Sequence, residues 1–336
     1  MTASISPGQL PTFADIEDAA RHIGVACIVT PLLESPVINA QVEGRVLVKA
    51  EGLQRTGSFK MRGAYNRMRL LTDDERSRGV VAYSSGNHGQ AVAYAARILG
   101  TTAVVVMPAD APRTKVEKTK ALGAEVIFYD RQRDDRVAIG KRLADERGLV
   151  MVPPFEDRFV MAGAGTVALE AVRQAQSMGV SSVDAMIACC SGGGLAAGCA
   201  IVMHELLPDA ERLAAEPVGF DDTARSLAAG ERVSNAPGGH SICDSVLAPM
   251  PGALTFEVNR RLLTGAVAVT DAEVIDAMRT AFRELGLVAE PGGSVALASV
   301  LSGRYAARGK TVIVTLSGAN VDLDAALRWM AEGGTT

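Results

Sequence analysis

Short runs of β-branched and apolar residues alternate with amphipathic helical patterns along most of this chain. Predicted strands at residues 80–83, 103–106 and 125–129 are each followed by a helical pattern. Such alternation is typical of βαβ units, in which helices cover a parallel sheet. Because 336 residues exceed what one small core needs, the sequence indicates either two domains or one large α/β unit.

Charge and composition exclude several classes of partner. The net charge is -4 and the isoelectric point is about 5.7, with no basic run interleaved with aromatic residues. Such a chain offers no cationic field for nucleic acid or for an anionic membrane surface. No window reaches the roughly 18 apolar residues of a membrane span, and the first residues lack the blocks of a signal peptide. The sequence therefore predicts a cytoplasmic protein.

The cysteines predict no metal or redox chemistry. The chain has five of them, none in a C-x-x-C pair, and three lie in or beside apolar runs. We therefore expect buried free thiols.

The first candidate for chemistry is Lys60, in the run Thr-Gly-Ser-Phe-Lys-Met-Arg-Gly-Ala at residues 56–64. This run follows a predicted strand and precedes a predicted helix. A lysine at such a junction can have its amine in a cavity, where burial lowers its pKa and makes it a nucleophile and base. The alternative is a solvated lysine in the first turn of a helix.

Two further loops follow predicted strands, where open α/β sheets bind ligands. Residues 190–195 read Cys-Ser-Gly-Gly-Gly-Leu; consecutive glycines before a helix suit a phosphate monoester, with tight packing as the alternative. The loop matches neither the Walker pattern nor the dinucleotide fingerprint. Residues 84–90 read Ser-Ser-Gly-Asn-His-Gly-Gln, which suits a small carboxylate at a helix start.

In this order, residues 56–64, 85–90, 191–198 and 316–320 closely resemble the motifs of the pyridoxal-phosphate enzymes of the threonine dehydratase and serine racemase family. The similarity extends from residue 30 to residue 322. It implies the tryptophan-synthase-β-like fold, fold type II. A large cofactor domain would comprise residues 1–52 and 156–336, and a small mobile substrate domain residues 53–155. The resemblance also implies a homodimer.

The resemblance implies a role for each matching residue. Lys60 would carry the internal aldimine, Phe59 would contact the cofactor ring, Asn87 would bind the ring oxygen and Ser317 would face the pyridine nitrogen. A serine cannot keep that nitrogen protonated, so the ring would be a weaker electron sink, which suits loss of a β-leaving group. The residues implied to hold the cofactor phosphate are Ser191, Gly192, Gly193, Gly194 and Leu195.

The resemblance also places the substrate carboxylate in the loop after residue 83. The implied substrate-binding residues are Ser84, Ser85, Asn87 and His88. Ser85 matches the serine that acts as acid and base on the face opposite the lysine in racemases of this family. His88 is expected to orient its loop and not to titrate during catalysis.

A divalent cation is implied at residues 216–222. Its ligands would be Glu216, the carbonyl of Phe220 and Asp222, an oxygen set that suits Mg²⁺ or Ca²⁺. The alternative is a solvated acidic turn.

Two departures from the family pattern concern the substrate. Ser245 follows Asp244 where relatives often have glycine. Residues 131–136 are rich in arginine, and Arg133 or Arg136 could clamp a second carboxylate bidentately, which would favour 3-hydroxyaspartate. A solvated helix start is the alternative.

The resulting hypothesis is a pyridoxal-phosphate ammonia-lyase that converts a small β-hydroxy amino acid of the L-threonine or L-serine type to a 2-keto acid and ammonia. Alternatives are a threo-3-hydroxyaspartate dehydratase that gives oxaloacetate, and a serine or aspartate racemase that uses Lys60 and Ser85. A non-catalytic small-molecule binder on the same fold is the alternative of another class.

Overall fold

A computed structural model describes residues 10–84, 86–111, 113–131 and 133–331. The strands are β1 (Leu32–Glu34), β2 (Arg45–Ala50), β3 (Val80–Tyr83), β4 (Ala103–Pro108), β5 (Glu125–Tyr129), β6 (Val150–Met151), β7 (Ala185–Cys189), β8 (Glu211–Pro217), β9 (Gly265–Val269) and β10 (Thr311–Leu316). The helices are α1 (Phe13–His22), α2 (Pro36–Val42), α3 (Lys60–Met68), α4 (Asp73–Arg78), α5 (Asn87–Leu99), α6 (Arg113–Ala121), α7 (Arg136–Arg147), α8 (Arg158–Ser177), α9 (Gly194–Leu206), α10 (Asp222–Ala229), α11 (Ala253–Leu262), α12 (Asp271–Leu285), α13 (Pro291–Leu301) and α14 (Leu323–Ala331).

The larger sheet has six strands in the order β1-β2-β10-β7-β8-β9. Only β1 is antiparallel to its neighbour; the other pairs are parallel. Val314 of β10 pairs with Val48 on one side and Ile187 on the other. Separate apolar clusters cover the two faces of this sheet, which explains why its central strands are continuous apolar runs.

The smaller sheet has four parallel strands in the order β5-β4-β3-β6. Its apolar faces also pack into separate clusters. All of its strands lie between residues 80 and 151, and the strands of the larger sheet lie outside that interval. The chain therefore has the predicted architecture of mostly parallel sheets covered by helices. The predicted domain boundaries and the movement of the smaller body stay predictions.

The two bodies meet where α3 packs on α8 at a pair of glycines. A Cβ atom on Gly63 would lie 2.7 Å from the carbonyl oxygen of Val160, and one on Gly163 would lie 2.5 Å from that of Arg62. Only glycine permits this close approach of the two backbones. The contact holds the start of α3, and therefore Lys60, against the larger body.

A buried network of charged side chains lies beside this contact. Arg62 donates to both carboxylate oxygens of Glu51, at 2.8 Å each, and to both of Glu170, at 2.7 Å each. Lys49 donates to Glu170 at 2.8 Å. The side chains of Lys49, Glu51 and Arg62 are fully buried. Two cations and two anions thus neutralise one another between β2, α3 and α8.

The structure bears on two expectations from the sequence, the state of the cysteines and the lack of a membrane-spanning segment. All five cysteines are free and buried, as predicted. Among the described residues, no helix has the length and apolar character needed to cross a membrane.

Candidate active site

A cavity of about 340 Å³ lies between the two sheets. It is bordered by the residues that follow β3, β7 and β10, where the carboxyl ends of parallel strands converge. Residues of all four predicted motifs therefore meet in one place. The predicted site residues that line the cavity are Phe59, Lys60, Ser84, Asn87, His88, Arg136, Ser191, Gly192, Gly193, Gly194, Leu195 and Ser317. Ser85 lies outside the described residues.

Lys60 is the first residue of α3, and its amine is inside the cavity. The Nζ atom donates to the carbonyl oxygen of Pro154 at 2.9 Å and lies 4.9 Å from the centroid of the Phe59 ring. Burial lowers the pKa of Lys60 to about 8. A minor fraction of this amine is therefore neutral near physiological pH, far more than for a lysine with an ordinary pKa of about 10.4, and that neutral form is what a nucleophile or base requires. The alternative of a solvated lysine is wrong.

The glycine loop lines the cavity, and its carbonyl oxygens are bound by residues at the start of α11 and within it. The oxygen of Gly192 accepts from the backbone nitrogen of Gly252 at 3.2 Å, and that of Gly193 accepts from Asn259 Nδ2 at 3.3 Å. The loop leads into α9 at Gly194, where the first backbone N–H groups of a helix have no intrahelical partner. This geometry could hold a phosphate group.

Side chains would not fit in this loop. A Cβ atom on Gly192 would lie 2.3 Å from the ring of Phe155, and one on Gly193 would lie 2.7 Å from Asn259 Nδ2. Gly193 also has a φ of 94°, which favours glycine. The loop is therefore a close-fitting cradle.

Asn87 is fixed at both ends of its amide. Its Oδ1 accepts from Asn320 Nδ2 at 2.8 Å, and its Nδ2 donates to Glu290 Oε1 at 2.5 Å. Asn320 in turn donates to the backbone oxygen of Thr56 at 2.7 Å. One hydrogen of Asn87 Nδ2 remains for a ligand in the cavity.

Glu290 is a buried cavity residue that sequence reasoning missed. It is 1% exposed, and its Oε2 atom has no hydrogen-bond partner among the described residues. Burial raises the pKa of Glu290 to about 7. In the sequence it stands before Pro-Gly-Gly, which resembles a turn; the available signal was proline at the first position of an apolar helix.

Ser84 and His88 lie on the side of the small sheet. The Ser84 hydroxyl accepts from the backbone nitrogen of Gly86 at 3.1 Å. His88 Nε2 lies 2.9 Å from the backbone oxygen of Val152, and since a carbonyl only accepts, Nε2 carries the proton. Burial lowers the pKa of His88 to about 3. The ring is therefore neutral, as expected of a residue that orients its loop.

Hydrogen bonds hold the hydroxyl of Ser191 and the backbone of Ser317, the two predicted site serines of the larger body. Ser191 Oγ accepts from the backbone nitrogen of Ala248 at 3.2 Å, which leaves its hydrogen for another acceptor. The backbone oxygen of Ser317 accepts from Phe59 N at 3.1 Å. Ser317 is therefore tied directly to the residue before Lys60.

Of the two arginines proposed from the sequence, the structure brings only Arg136 into the cavity. Its guanidinium lies 5.7 Å from the centroid of the Tyr83 ring, and it has no carboxylate partner among the described residues. Arg133 does not line the cavity, is 84% exposed and pairs with Asp130. Arg131 lines the mouth but pairs with Asp110 at 2.7 Å.

The cavity mouth is crossed by one ion pair between the two bodies. Lys115 of α6 donates to Asp244 Oδ2 at 2.6 Å. Ser245 also lines the cavity and lies against Gly292. The pair and Ser245 thus narrow the entrance.

The residues proposed for a cation lie away from this cavity, at the turn between β8 and α10. Glu216 is fully buried, and its two oxygens accept from the backbone nitrogens of Thr223 and Ala224 at 3.0 Å each. Asp222 is 2% exposed, and its Oδ2 has no partner among the described residues. The alternative of a solvated turn is wrong, because both carboxylates are buried.

These carboxylates fit a hard cation. Burial and the charge of Asp222 raise the pKa of Glu216 to about 8, and burial raises that of Asp222 to about 6. A cation would relieve both effects. In the described ranges no three Asp, Glu, His or Cys side chains converge, so carbonyl oxygens such as that of Phe220 and water would complete the ligand set.

The sequences of known proteins are similar to this chain over most of its length. The family described as "Pyridoxal-phosphate dependent enzyme" matches residues 25–318. The L-threo-3-hydroxyaspartate ammonia-lyase of a Pseudomonas species is 36% identical over 94% of this chain and 97% of its own length. The L-threonine ammonia-lyase of Thermotoga maritima is 36% identical over 93% of this chain and 76% of its own.

A solved structure has the same fold. Maize serine racemase aligns with a TM-score of 0.89 and 35% identity, over 96% of this chain and 98% of its own. The span that matches the family contains Lys60, the glycine loop and Ser317. The chain therefore belongs to the family of pyridoxal-phosphate dependent enzymes.

Proposed function

We propose that this protein is a pyridoxal-phosphate-dependent carbon–nitrogen lyase that converts L-threonine or L-serine to a 2-keto acid and ammonia. The observation that carries the proposal is the buried Lys60 amine, with a pKa of about 8, in one cavity with the Gly192–Gly194 cradle and Ser317. The test is release of both keto acid and ammonia from L-serine, L-threonine and the threo and erythro 3-hydroxyaspartates. No keto acid from any of them would refute it.

The residues of the cavity fit the cofactor. Lys60 would bind it covalently, and the amides of residues 192–195 would hold its phosphate. Asn87 would donate its remaining hydrogen to the ring oxygen, and Ser317 would face the ring nitrogen. Phe59 would contact the ring. These assignments rest on the cradle that excludes Cβ atoms and on the free donor of Asn87.

The chain's own residues then carry the proton steps. Bound pyridoxal phosphate supplies an electron sink for the pair left when the substrate loses its α-proton. The neutral Lys60 amine would remove that proton as a base. Ser84, His88 and the N–H groups that follow would orient the substrate carboxylate. The protonated Lys60 amine would pass a proton to the β-hydroxyl, which would leave as water, and a water molecule would then hydrolyse the enamine product to keto acid and ammonia.

Arg136 favours a second candidate function, the dehydration of threo-3-hydroxyaspartate to oxaloacetate. This guanidinium lines the cavity and has no carboxylate partner in the described part of the chain. A bidentate contact with a second substrate carboxylate would satisfy it.

The two arginines provide a matched pair of variants. Arg136→Ala is expected to lower kcat/KM for threo-3-hydroxyaspartate by about 10- to 100-fold, because a hydrogen bond to a charged group contributes roughly 1.5–3 kcal/mol. The value for L-serine should change little. Arg133→Ala, outside the cavity, is the control and should leave both unchanged. Equal losses for both substrates in Arg136→Ala would contradict a second-carboxylate role.

Racemisation is the remaining alternative within the family, and it depends on Ser85. Chiral analysis of residual serine and aspartate separates the two reactions, since a racemase inverts the substrate without releasing ammonia. A non-catalytic binder is not supported, because a binder does not need a buried lysine of lowered pKa.

The phosphate cradle gives a prediction for cofactor affinity. Gly193→Ala should weaken pyridoxal-phosphate binding by at least about 10-fold, because the new methyl group requires a strained φ and displaces Asn259. Fluorescence or absorbance titration of the apoenzyme measures this affinity. Gly24→Ala, whose Cβ would meet nothing within 4 Å, is the control. Unchanged affinity for pyridoxal phosphate in Gly193→Ala would show that the cofactor phosphate does not bind to this loop.

The proposed cation should stabilise the fold. Mg²⁺ or Ca²⁺ at 100 times its Kd should raise the unfolding free energy by about 2.7 kcal/mol, measured by thermal melting with and without chelator. Glu216→Gln should abolish this effect. Asp221→Asn, a neighbouring carboxylate that pairs with Arg225, should retain it. A metal effect that survives Glu216→Gln would place the ion elsewhere. The homodimer and the cytoplasmic location stay predictions.

A further inference from the structure

Capping of α13 does not explain where the side chain of Glu290 lies. It is the residue before α13, yet its side chain makes no hydrogen bond to that helix. Its backbone oxygen instead accepts from Gly293 N and Ser294 Oγ, at 3.0 Å each. The fold therefore holds the main chain of Glu290 firmly while its carboxyl group lies in the cavity.

The carboxyl group is placed between the two motifs that would hold opposite sides of the cofactor ring. On one side, Oε1 accepts from Asn87 Nδ2. On the other, a Cβ atom on Gly318 would lie 2.1 Å from Oε1, and the backbone nitrogen of Glu290 donates to the Gly318 oxygen at 3.0 Å. Gly318 follows Ser317. One carboxyl group thus contacts both motifs.

The charged and titratable groups around this carboxyl group come from several segments of the chain. Lys60 of α3 and Lys115 of α6 are the cations, and Asp244 is the nearby anion; Asn87 and the neutral His88 come from α5. Lys115 is already paired with Asp244. Because Oε1 accepts from Asn87, a proton on Glu290 would be on Oε2, the atom with no partner among the described residues.

We propose that Glu290 is a positioning residue whose charge, through Asn87, controls the protonation of the nitrogen that joins Lys60 to the cofactor. A negative charge in this buried cavity stabilises a positive charge on that nitrogen. Loss of the negative charge has the opposite effect. The inference rests on membership of the cofactor family and not on which substrate is used.

The cofactor's visible absorbance reports this protonation without substrate. In the wild-type holoenzyme we expect the absorbance to change with pH around a midpoint near 7, the value to which burial raises the Glu290 pKa. In Glu290→Gln this transition should be lost between pH 6 and 8. In Glu290→Asp it should persist with a shifted midpoint.

Asp244→Asn separates Glu290 from the neighbouring carboxylate. This change removes a negative charge and frees Lys115, and both effects lower the pKa of Glu290, so the midpoint should move to lower pH without disappearing. A wild-type midpoint in Glu290→Gln, or loss of the transition in Asp244→Asn alone, would overturn the proposal. If Glu290→Gln binds no cofactor, Glu290→Asp provides the test. An absorbance transition with the wild-type midpoint in Glu290→Asp would then overturn the proposal.

Discussion

Replacement of Lys60 by alanine is expected to abolish both the visible absorbance of the bound cofactor and turnover. The variant loses the covalent anchor and the base together, so kcat should fall by on the order of 10⁴-fold or more. Absorbance of the purified protein and the keto-acid assay measure the two losses. Because the Lys60 amine makes one hydrogen bond, to Pro154, the fold should remain intact by circular dichroism.

Lys118→Ala is the matched control for this variant. Lys118 is an exposed lysine of α6, and its loss should change neither the absorbance nor kcat. Retained turnover in Lys60→Ala would show that Lys60 is not needed for the reaction.

Replacement of Arg62 by methionine should cause a large decrease in the free energy of unfolding. The substitution leaves Glu51, which is fully buried, without its cation. Breaking a buried pair by removing one partner costs about 3–5 kcal/mol, because an uncompensated charge stays in the interior. Urea denaturation of the apoenzyme at neutral pH should show this decrease in the free energy of unfolding.

An exposed ion pair is the control for Arg62. Arg113 is 90% exposed and pairs with Glu117 one helical turn away, so Arg113→Met should cause no measurable loss. If Arg62→Met were as stable as Arg113→Met, the buried network would contribute nothing to stability.

Features set by local sequence were predictable. The strands at 80–83 and 125–129 have their predicted bounds. The glycine loop was recognisable because backbone geometry requires glycine there, and the lysine junction because a lysine between a strand and a helix can place its amine in a cavity.

Features set by tertiary contacts were not predictable. The strand β8 was missed because Glu211, Arg212 and Pro217 interrupt its apolar pattern. The helix α13 was missed because it begins Pro-Gly-Gly; a Cβ on Gly292 or Gly293 would meet Ser245 or Gly318. Those glycines permit packing and do not form a turn, and so Glu290 was overlooked.

The choice between arginines shows the same limit. Residues 131–136 contain three guanidinium groups, and composition alone does not distinguish them. Asp135 caps α7 through the backbone nitrogens of Val137 and Ala138, which starts the helix at Arg136 beside Tyr83. The structure therefore distinguishes Arg136 from the exposed Arg133.

The central claim is that Lys60 is the covalent anchor of the cofactor. Borohydride makes a bond between lysine and pyridoxal phosphate permanent, so reduction of the holoenzyme followed by peptide mass spectrometry identifies the modified residue. The modified residue should be Lys60 alone. Modification of Lys115, the other lysine that lines the cavity, with Lys60 unmodified would contradict the account.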